Sequence, residues 1–257
     1  VKMADFVLLQ EIDSAARRSY YINELQRFAA IFPEHNYAMG VNFNVGFVPL
    51  PIARPWDAIG NVYSGVATYS RYDYSEVVRY QYPGEFSWPM RIFNLDRCML
   101  VHRIPTNKGK ELIVVNSHNS AYDSDGSLRR VEMGFLRDFV QAEYAKGNYV
   151  IAGGDWNQCP PNFAFNKFRP NVRDSSDYPG SVSADFLPAD WTWAVDTTQP
   201  TNRKLYDTFN ADTTFYTLID YYLLSPNVEL VSIRTDDMRF RYSDHQPNIL
   251  VAKLRDF

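Results

Sequence analysis

The chain has 257 residues, enough for one large two-layered domain with a sizeable core. It is 46% hydrophobic and 22% charged, which excludes a disordered chain, and no apolar run approaches the roughly 20 residues needed to span a bilayer. The formal net charge of −4, from 26 basic and 30 acidic residues, excludes a basic character that would by itself advertise nucleic acid, although local patches matter more than the sum.

Aromatic residues make up 16% of the chain, with 18 Tyr and 17 Phe. Such residues suit strands, so a sheet-rich fold is the first expectation; stacking surfaces for bases or sugars are the second. Cys98 and Cys159 stand far apart and outside any C-x-x-C pattern, which argues against thiolate zinc and leaves their pairing open. No signal peptide is visible, and Val1 is not a natural start residue. A removed upstream segment, with secreted or cell-envelope placement, therefore stays open.

In chain order, the apolar run at 4–11 ends on Gln10-Glu11 and reads as a buried strand with function at its carboxyl end. Residues 14–32 carry Tyr21, Leu25, Phe28, Ala29 and Phe32 at helical spacing and stop at Pro33, which predicts a helix. Strands are expected at 65–70, at 96–104 with Arg97 near the start, and at 111–116, the last closing on Ser117-His118-Asn119. The periodicity of Leu128, Val131, Phe135, Phe139 and Val140 predicts a helix over 127–146, ended by Gly147-Asn148. A strand at 149–154 delivers Asp155. The stretch 158–215 reads as a long loop, an uncommon length unless functional or mobile. Strands follow at 218–224, 228–235 and 249–254, the last opened by Asp244-His245. Neither a repeat nor a linker divides the chain, so a single domain over 1–257 is expected.

Polar residues recur at the ends of these strands: Glu11, His118, Asp155 with Asn157, Asp220, and Asp244 with His245. An isolated Asp at a strand end is usually a turn or cap residue. Carboxylates gathered at one sheet edge, however, repel one another and call for a cation. Hard oxygen ligands favour magnesium, manganese or calcium. With histidines able to move protons near neutral pH, the set suits hydrolysis of a phosphate ester.

Five motifs carry a resemblance. Leu9-Gln10-Glu11, Asn116-Ser117-His118, Gly154-Asp155-Trp156-Asn157, Ile219-Asp220-Tyr221 and Ser243-Asp244-His245-Gln246-Pro247 resemble, in order, those of the endonuclease/exonuclease/phosphatase superfamily. The resemblance implies a deoxyribonuclease I-like fold of the α/β (α+β) class: a four-layer α/β/β/α sandwich of two packed, mostly antiparallel sheets. A closed barrel or one doubly wound parallel sheet would contradict it. It implies a divalent-metal-dependent hydrolase. Glu11 is the principal metal ligand (Mg2+ or Mn2+, with Ca2+ compatible), and Asp244 is a metal-side or supporting carboxylate. Asp155 orients or deprotonates the attacking water, Asn157 holds a phosphate oxygen, and His245 contacts the phosphate with its tautomer fixed by Asp220. His118 occupies the position of a histidine in deoxyribonuclease-like members. Arg97, Asn119, Thr201 and Arg203 are candidate substrate-binding residues, the last two in the loop before Asp220.

The sequence departs from the family pattern twice. The family's first strand carries an Asn that supports the metal site, and none of the ten residues before Glu11 is Asn, so the chain reads as lacking that strand. Asn61-Val62-Tyr63-Ser64 also supplies no glutamate to pair with His118. The expected activity is phosphodiester hydrolysis, nuclease-like. The alternatives are a phospholipid or sphingomyelin phosphodiesterase, a phosphomonoesterase, and, from another class, a catalytically impaired binding domain. No basic run with interleaved aromatics marks a DNA groove. Nucleic acid therefore stays open as a partner, as do substrate and oligomeric state.

Overall fold

The protein is described from a computed structural model covering residues 4–50, 56, 58–84, 96–107, 109–121, 126–164, 166–168, 179–205, 209–210 and 212–255. The chain falls into two compact units, Val1–Leu136 and Arg137–Phe257.

In the first unit, β1 (Phe6–Asp13), β2 (Asn36–Val48) and β3 (Gly60–Ser70) form an antiparallel sheet in the order β1-β3-β2. Strands β4 (Glu76–Gln81), β5 (Cys98–Pro105) and β6 (Glu111–His118) run antiparallel, side by side. Period-2 alternation gives each sheet two working faces. Val7, Ala67 and Tyr69 turn to one side of the first sheet, where Leu25, Phe28, Ala29 and Phe32 cover them. Val66 turns to the other side and packs on Cys98 and Leu100 of β5, so the two sheets lie face to face. Helix α1 (Glu24–Ile31) thus caps one outer face. The first turns of α2 (Ser127–Ala145) place Phe135 against Tyr80 and Tyr82, the latter ring edge-on at 6.1 Å.

The predicted helix over 14–32 is shorter in the structure. Asn23 accepts from the Gln26 N–H and starts α1 there. Upstream, Arg17–Ser19 make a 3-10 turn, and Tyr20 and Tyr21 have φ of 55° and 60°, which no α-helix admits. The C-terminus of α2 follows expectation: Gly147 has φ 82° and donates to the Tyr144 carbonyl. Strands β2 and β4 were not anticipated.

In the second unit, β7 (Tyr149–Asp155), β11 (Asp220–Leu224) and β8 (Thr192–Ala194) pair antiparallel with β11 in the middle. Two further antiparallel pairs are β9 (Asn202–Arg203) with β10 (Tyr216–Thr217) and β12 (Val228–Thr235) with β13 (Asn248–Leu254). The expected loop at 158–215 therefore contains β8 and β9, and part of it (165, 169–178, 206–208 and 211) lies outside the described residues. Trp156, fully buried, stacks on Tyr221 at 5.1 Å and donates its indole N–H to the Tyr221 carbonyl. Both cysteines are buried free thiols.

Candidate active site

In the first unit the site grows from a bulge at the end of β1. Pairing of β1 with β3 is regular to Leu9↔Ala67 and resumes at Ile12↔Gly65 with a shifted register. Within the bulge Glu11 has φ 56°, a left-handed conformation that costs a non-glycine residue about 1–3 kcal/mol. Such strain persists only where neighbours over-determine it. Here Asn116, fully buried on β6, is the determinant. Its Oδ1 accepts from Gln10 Nε2 at 2.7 Å. Its Nδ2 is shared among the Leu9 carbonyl, the Ala67 carbonyl and Thr68 Oγ1. The result is a Glu11 side chain turned outward, 59% exposed.

Two residues along β6, on the same strand face as Asn116, His118 places Nε2 4.0 Å from Glu11 Oε1. Arg97 Nη1 bonds that same nitrogen. A guanidinium only donates, so His118 Nε2 is the acceptor in this contact. Arg97 is buried and engaged with this histidine, which makes it a positioning residue for His118 in this conformation. Asn119 is fully buried, accepts from Ser117 Oγ and lies against Met133 Sδ; it supports the strand end and presents no side chain outward. Asp13, the next acid after Glu11, is neutralised by a two-pronged bond from Arg18.

In the second unit the pairing Asp220↔Asp155 sets the ends of β11 and β7 side by side. Gly154 has φ 139°, and a Cβ on Gly153 would meet the Tyr222 ring at 2.4 Å, so both glycines are required by the approach to Asp155. The Asp155 carboxylate, nearly buried, accepts from the Asn157 backbone N–H at 2.9 Å and from Asn157 Nδ2 at 3.2 Å. Asn157 has φ 48°, which folds its amide back onto that carboxylate.

His245 binds Asp220 through Nδ1 at 2.9 Å, and its Nε2 lies 3.9 Å from Asp155 Oδ2. Nε2 also meets Asn202 Nδ2 at 2.9 Å. As placed, this amide donates to the neutral ring; turned by 180° it accepts from the imidazolium. Burial pushes the His245 pKa down, but the charge of Asp220, its hydrogen bond, and the charges of Asp155 and Asp244 outweigh burial and raise it from 6.5 to about 10. Thr201 is fully buried, and its hydroxyl accepts from the Ile219 and Asp220 N–H groups, so it sets the start of β11 and does not face outward. Arg203 donates its backbone N–H to the Asp244 carbonyl, and its guanidinium lies over Phe209 at 5.4 Å.

The structure therefore brings together two hydrogen-bonded pairs, Asp155 with Asn157 and Asp220 with His245, 3.9 Å apart at Asp155 Oδ2 and His245 Nε2, and, in the first unit, Glu11, His118 and Arg97. It adds Gln10, Asn116 and Asn202, to which sequence reasoning gave no role. Asn202 follows Thr201 in the loop already singled out, and Asn116 and Gln10 stand inside quoted motifs, so position was the available signal.

As to a metal, no group of three or more His, Cys, Asp or Glu side chains that could hold an ion occurs among the described residues. This donor set does not suit a closed zinc site. An outward carboxylate such as Glu11 does suit magnesium or manganese, which take one or two carboxylates and keep several waters.

No curated protein sequence matches the chain. It is similar in structure to an endonuclease/exonuclease/phosphatase from Beutenbergia cavernae DSM 12333, with 16% identity and a TM-score of 0.67 over 99% of this chain. The match spans 64% of that protein, just under two thirds of its length. It is also similar to D. rerio TDP2 complexed with single strand DNA product, with 16% identity and a TM-score of 0.58 over 97% of this chain and 86% of that one. A third likeness is to the human Nocturnin catalytic domain with bound sulfate anion, with 14% identity and a TM-score of 0.59 over 97% and 81%. These likenesses show a deoxyribonuclease I-like fold of packed sheets with few helices. The family model of the Endonuclease/Exonuclease/phosphatase family matches residues 2–245, nearly the whole chain, and the protein belongs to that family.

Proposed function

We propose that the chain hydrolyses phosphodiesters with the help of a divalent cation. Family membership supports hydrolysis of phosphate esters in general. The observation that carries the finer reading is the Asp220–His245–Asp155 group, in which one imidazole is bonded to one carboxylate and faces a second. Asp220 accepts a hydrogen bond from Nδ1–H and fixes the ring; the charged ring then presents Nε2–H to a phosphoryl oxygen as negative charge develops there. Asp155, held by both N–H donors of Asn157, accepts the proton of an attacking water. Glu11 would hold a magnesium or manganese ion with waters completing its shell, and the ion would supply Lewis-acid stabilisation of phosphoryl charge. No helix among the described residues is long and apolar enough to cross a membrane. The single-stranded DNA product bound to D. rerio TDP2 supports a nucleic-acid substrate over a lipid.

The test is hydrolysis of bis-p-nitrophenyl phosphate by protein freed of metal with chelator, then supplied with magnesium or manganese. Turnover appears only with the ion, and His245→Ala lowers kcat by roughly 10²-fold or more. Turnover that persists in chelator, or a His245→Ala variant at wild-type rate, refutes the mechanism.

A further inference from the structure

The second unit holds a group of rings that the hydrolytic chemistry does not use. Phe209 lies against Tyr216 and Phe240, and Tyr216 stacks on Phe240 at 5.4 Å with an interplanar angle of 11°. Arg203 stands over Phe209, and Arg241 stands over Tyr242 at 5.3 Å. The group is joined to the hydrolytic residues at two points. Arg203 follows Asn202, whose amide touches His245, and Tyr242 precedes His245 by three residues.

The loop that carries the rings is strained. Arg239 and Phe240 have φ of 52° and 49°, two successive left-handed non-glycine residues. Gln246 holds them there: its Oε1 accepts from the Met238 N–H, while its Nε2 donates to the Pro200 carbonyl. The Asp237 carboxylate accepts from the Arg239 N–H. The bend buries Phe240 on Tyr216 and leaves Tyr242 75% exposed beside Arg241. Arg203, Lys204, Arg239 and Arg241 give this neighbourhood four cationic side chains in a chain whose net charge is −4.

We infer that Tyr242, carried on the buried Phe240–Tyr216 stack and flanked by these arginines, is a stacking point for single-stranded nucleic acid, holding one base while a backbone diester meets His245. The inference deepens the phosphodiesterase reading and rests on it for the fate of the diester. Its chemistry is that of sequence-tolerant strand binding: a flat π-face for a base and cations for the phosphates. A duplex, whose bases are already stacked, would gain nothing from such a surface.

The test uses the whole chain in chelator, where no hydrolysis competes, and fluorescence anisotropy with two labelled single-stranded oligodeoxynucleotides. One carries all its bases; in the other the central residues are abasic. Wild type binds the base-bearing strand about 10-fold more tightly, the scale of stacking one base. Tyr242→Ala abolishes that preference and Tyr242→Trp keeps it. Thermal melting accompanies both variants, and Tyr242 is exposed enough for each to fold. Equal affinity of wild type for the two strands overturns the stacking point. So does a preference that survives Tyr242→Ala, or binding to sphingomyelin vesicles in place of the oligonucleotides. A protein that shows the base preference yet fails to hydrolyse bis-p-nitrophenyl phosphate with metal overturns the hydrolase reading and leaves the stacking point standing.

Discussion

Replacing Asp220 by Asn should lower the pH at which His245 gives up its proton. The wild-type ring bonds the Asp220 carboxylate at 2.9 Å and titrates at about 10 in the metal-free protein, against an ordinary 6.5. Burial alone would push it below that ordinary value, so the elevation belongs to the carboxylates, Asp220 first. An opposite charge at this distance moves a pKa by about 1–3 pH units. Asp220→Asn should therefore lower the His245 midpoint by roughly two pH units, Asp155 at 3.9 Å and Asp244 retaining part of the effect. The chain has only 4 His, so ring resonances can be followed by NMR from pH 5 to 11 and assigned with His245→Ala. The same displacement has a sign in stability. A pKa raised on folding means that the native state holds the extra proton between about 6.5 and about 10. The stabilisation is complete below 6.5 and is lost as pH rises through 10, with a limiting slope of about 1.4 kcal/mol per pH unit. The side chain is 31% exposed, so solvent screening keeps the slope below that limit. Urea melts at pH 6 and pH 9 should show wild type losing more stability than Asp220→Asn. A midpoint unmoved by the substitution, or equal losses in the two proteins, refutes the assignment of the charge to Asp220.

Asn116→Ala removes the clamp on the Glu11 bulge, and by the scale of losing a ligand-orienting partner it should weaken Mn2+ binding about 10-fold, read by calorimetry; an unchanged affinity would free Glu11 from that dependence. Gly153→Ala forces a Cβ to 2.4 Å from the Tyr222 ring, and should cost about 1–3 kcal/mol in a chemical melt, with Ala at an unhindered position as the control. His102 is fully buried on β5, edge-on to Tyr74 at 5.1 Å, and burial lowers its pKa to about 4. Its neutral form is favoured by folding, so that stability is present above 6.5 and is lost as pH falls through 4. His102→Leu should flatten the stability profile between those values, and an unchanged profile would show that another group governs it.

The hydrophobic patterning sufficed for the central strands, for α2 and for its glycine stop, because period 2 and period 3.6 are written locally. The motif residues were legible for a related reason: Glu11, Asp155, Asp220 and His245 each stand at the end of an apolar run, where a polar residue has no packing role. The alternation of Val41, Phe43, Val45 and Phe47 with Asn42, Asn44 and Gly46 marks β2 as a strand in the sequence. Local pattern could not foretell its register, because the shifts in its pairing with β3 are dictated by the partner strand. Nor could it foretell that residues 14–22 abandon the helical spacing for two left-handed tyrosines, since the Asn23 cap restarts the helix one turn later. The long loop likewise hid β8 and β9, whose hydrogen bonds go to β11 and β10, residues remote in sequence.

Side-chain roles divide in the same way. Residue type told that Asp220 and His245 were suited to pair, and Thr201, Asn119 and Arg97 to contact a substrate. Only tertiary contacts decided that Thr201 is spent on the β11 backbone, Asn119 on Met133, and Arg97 on His118. Contacts also decided that Asn116, 105 positions after Glu11 by numbering, is the group that holds the bulge. A hydrogen-bond donor is the same chemical group wherever it lies in the chain; which acceptor it meets depends on the separations that folding closes, and no local pattern records those.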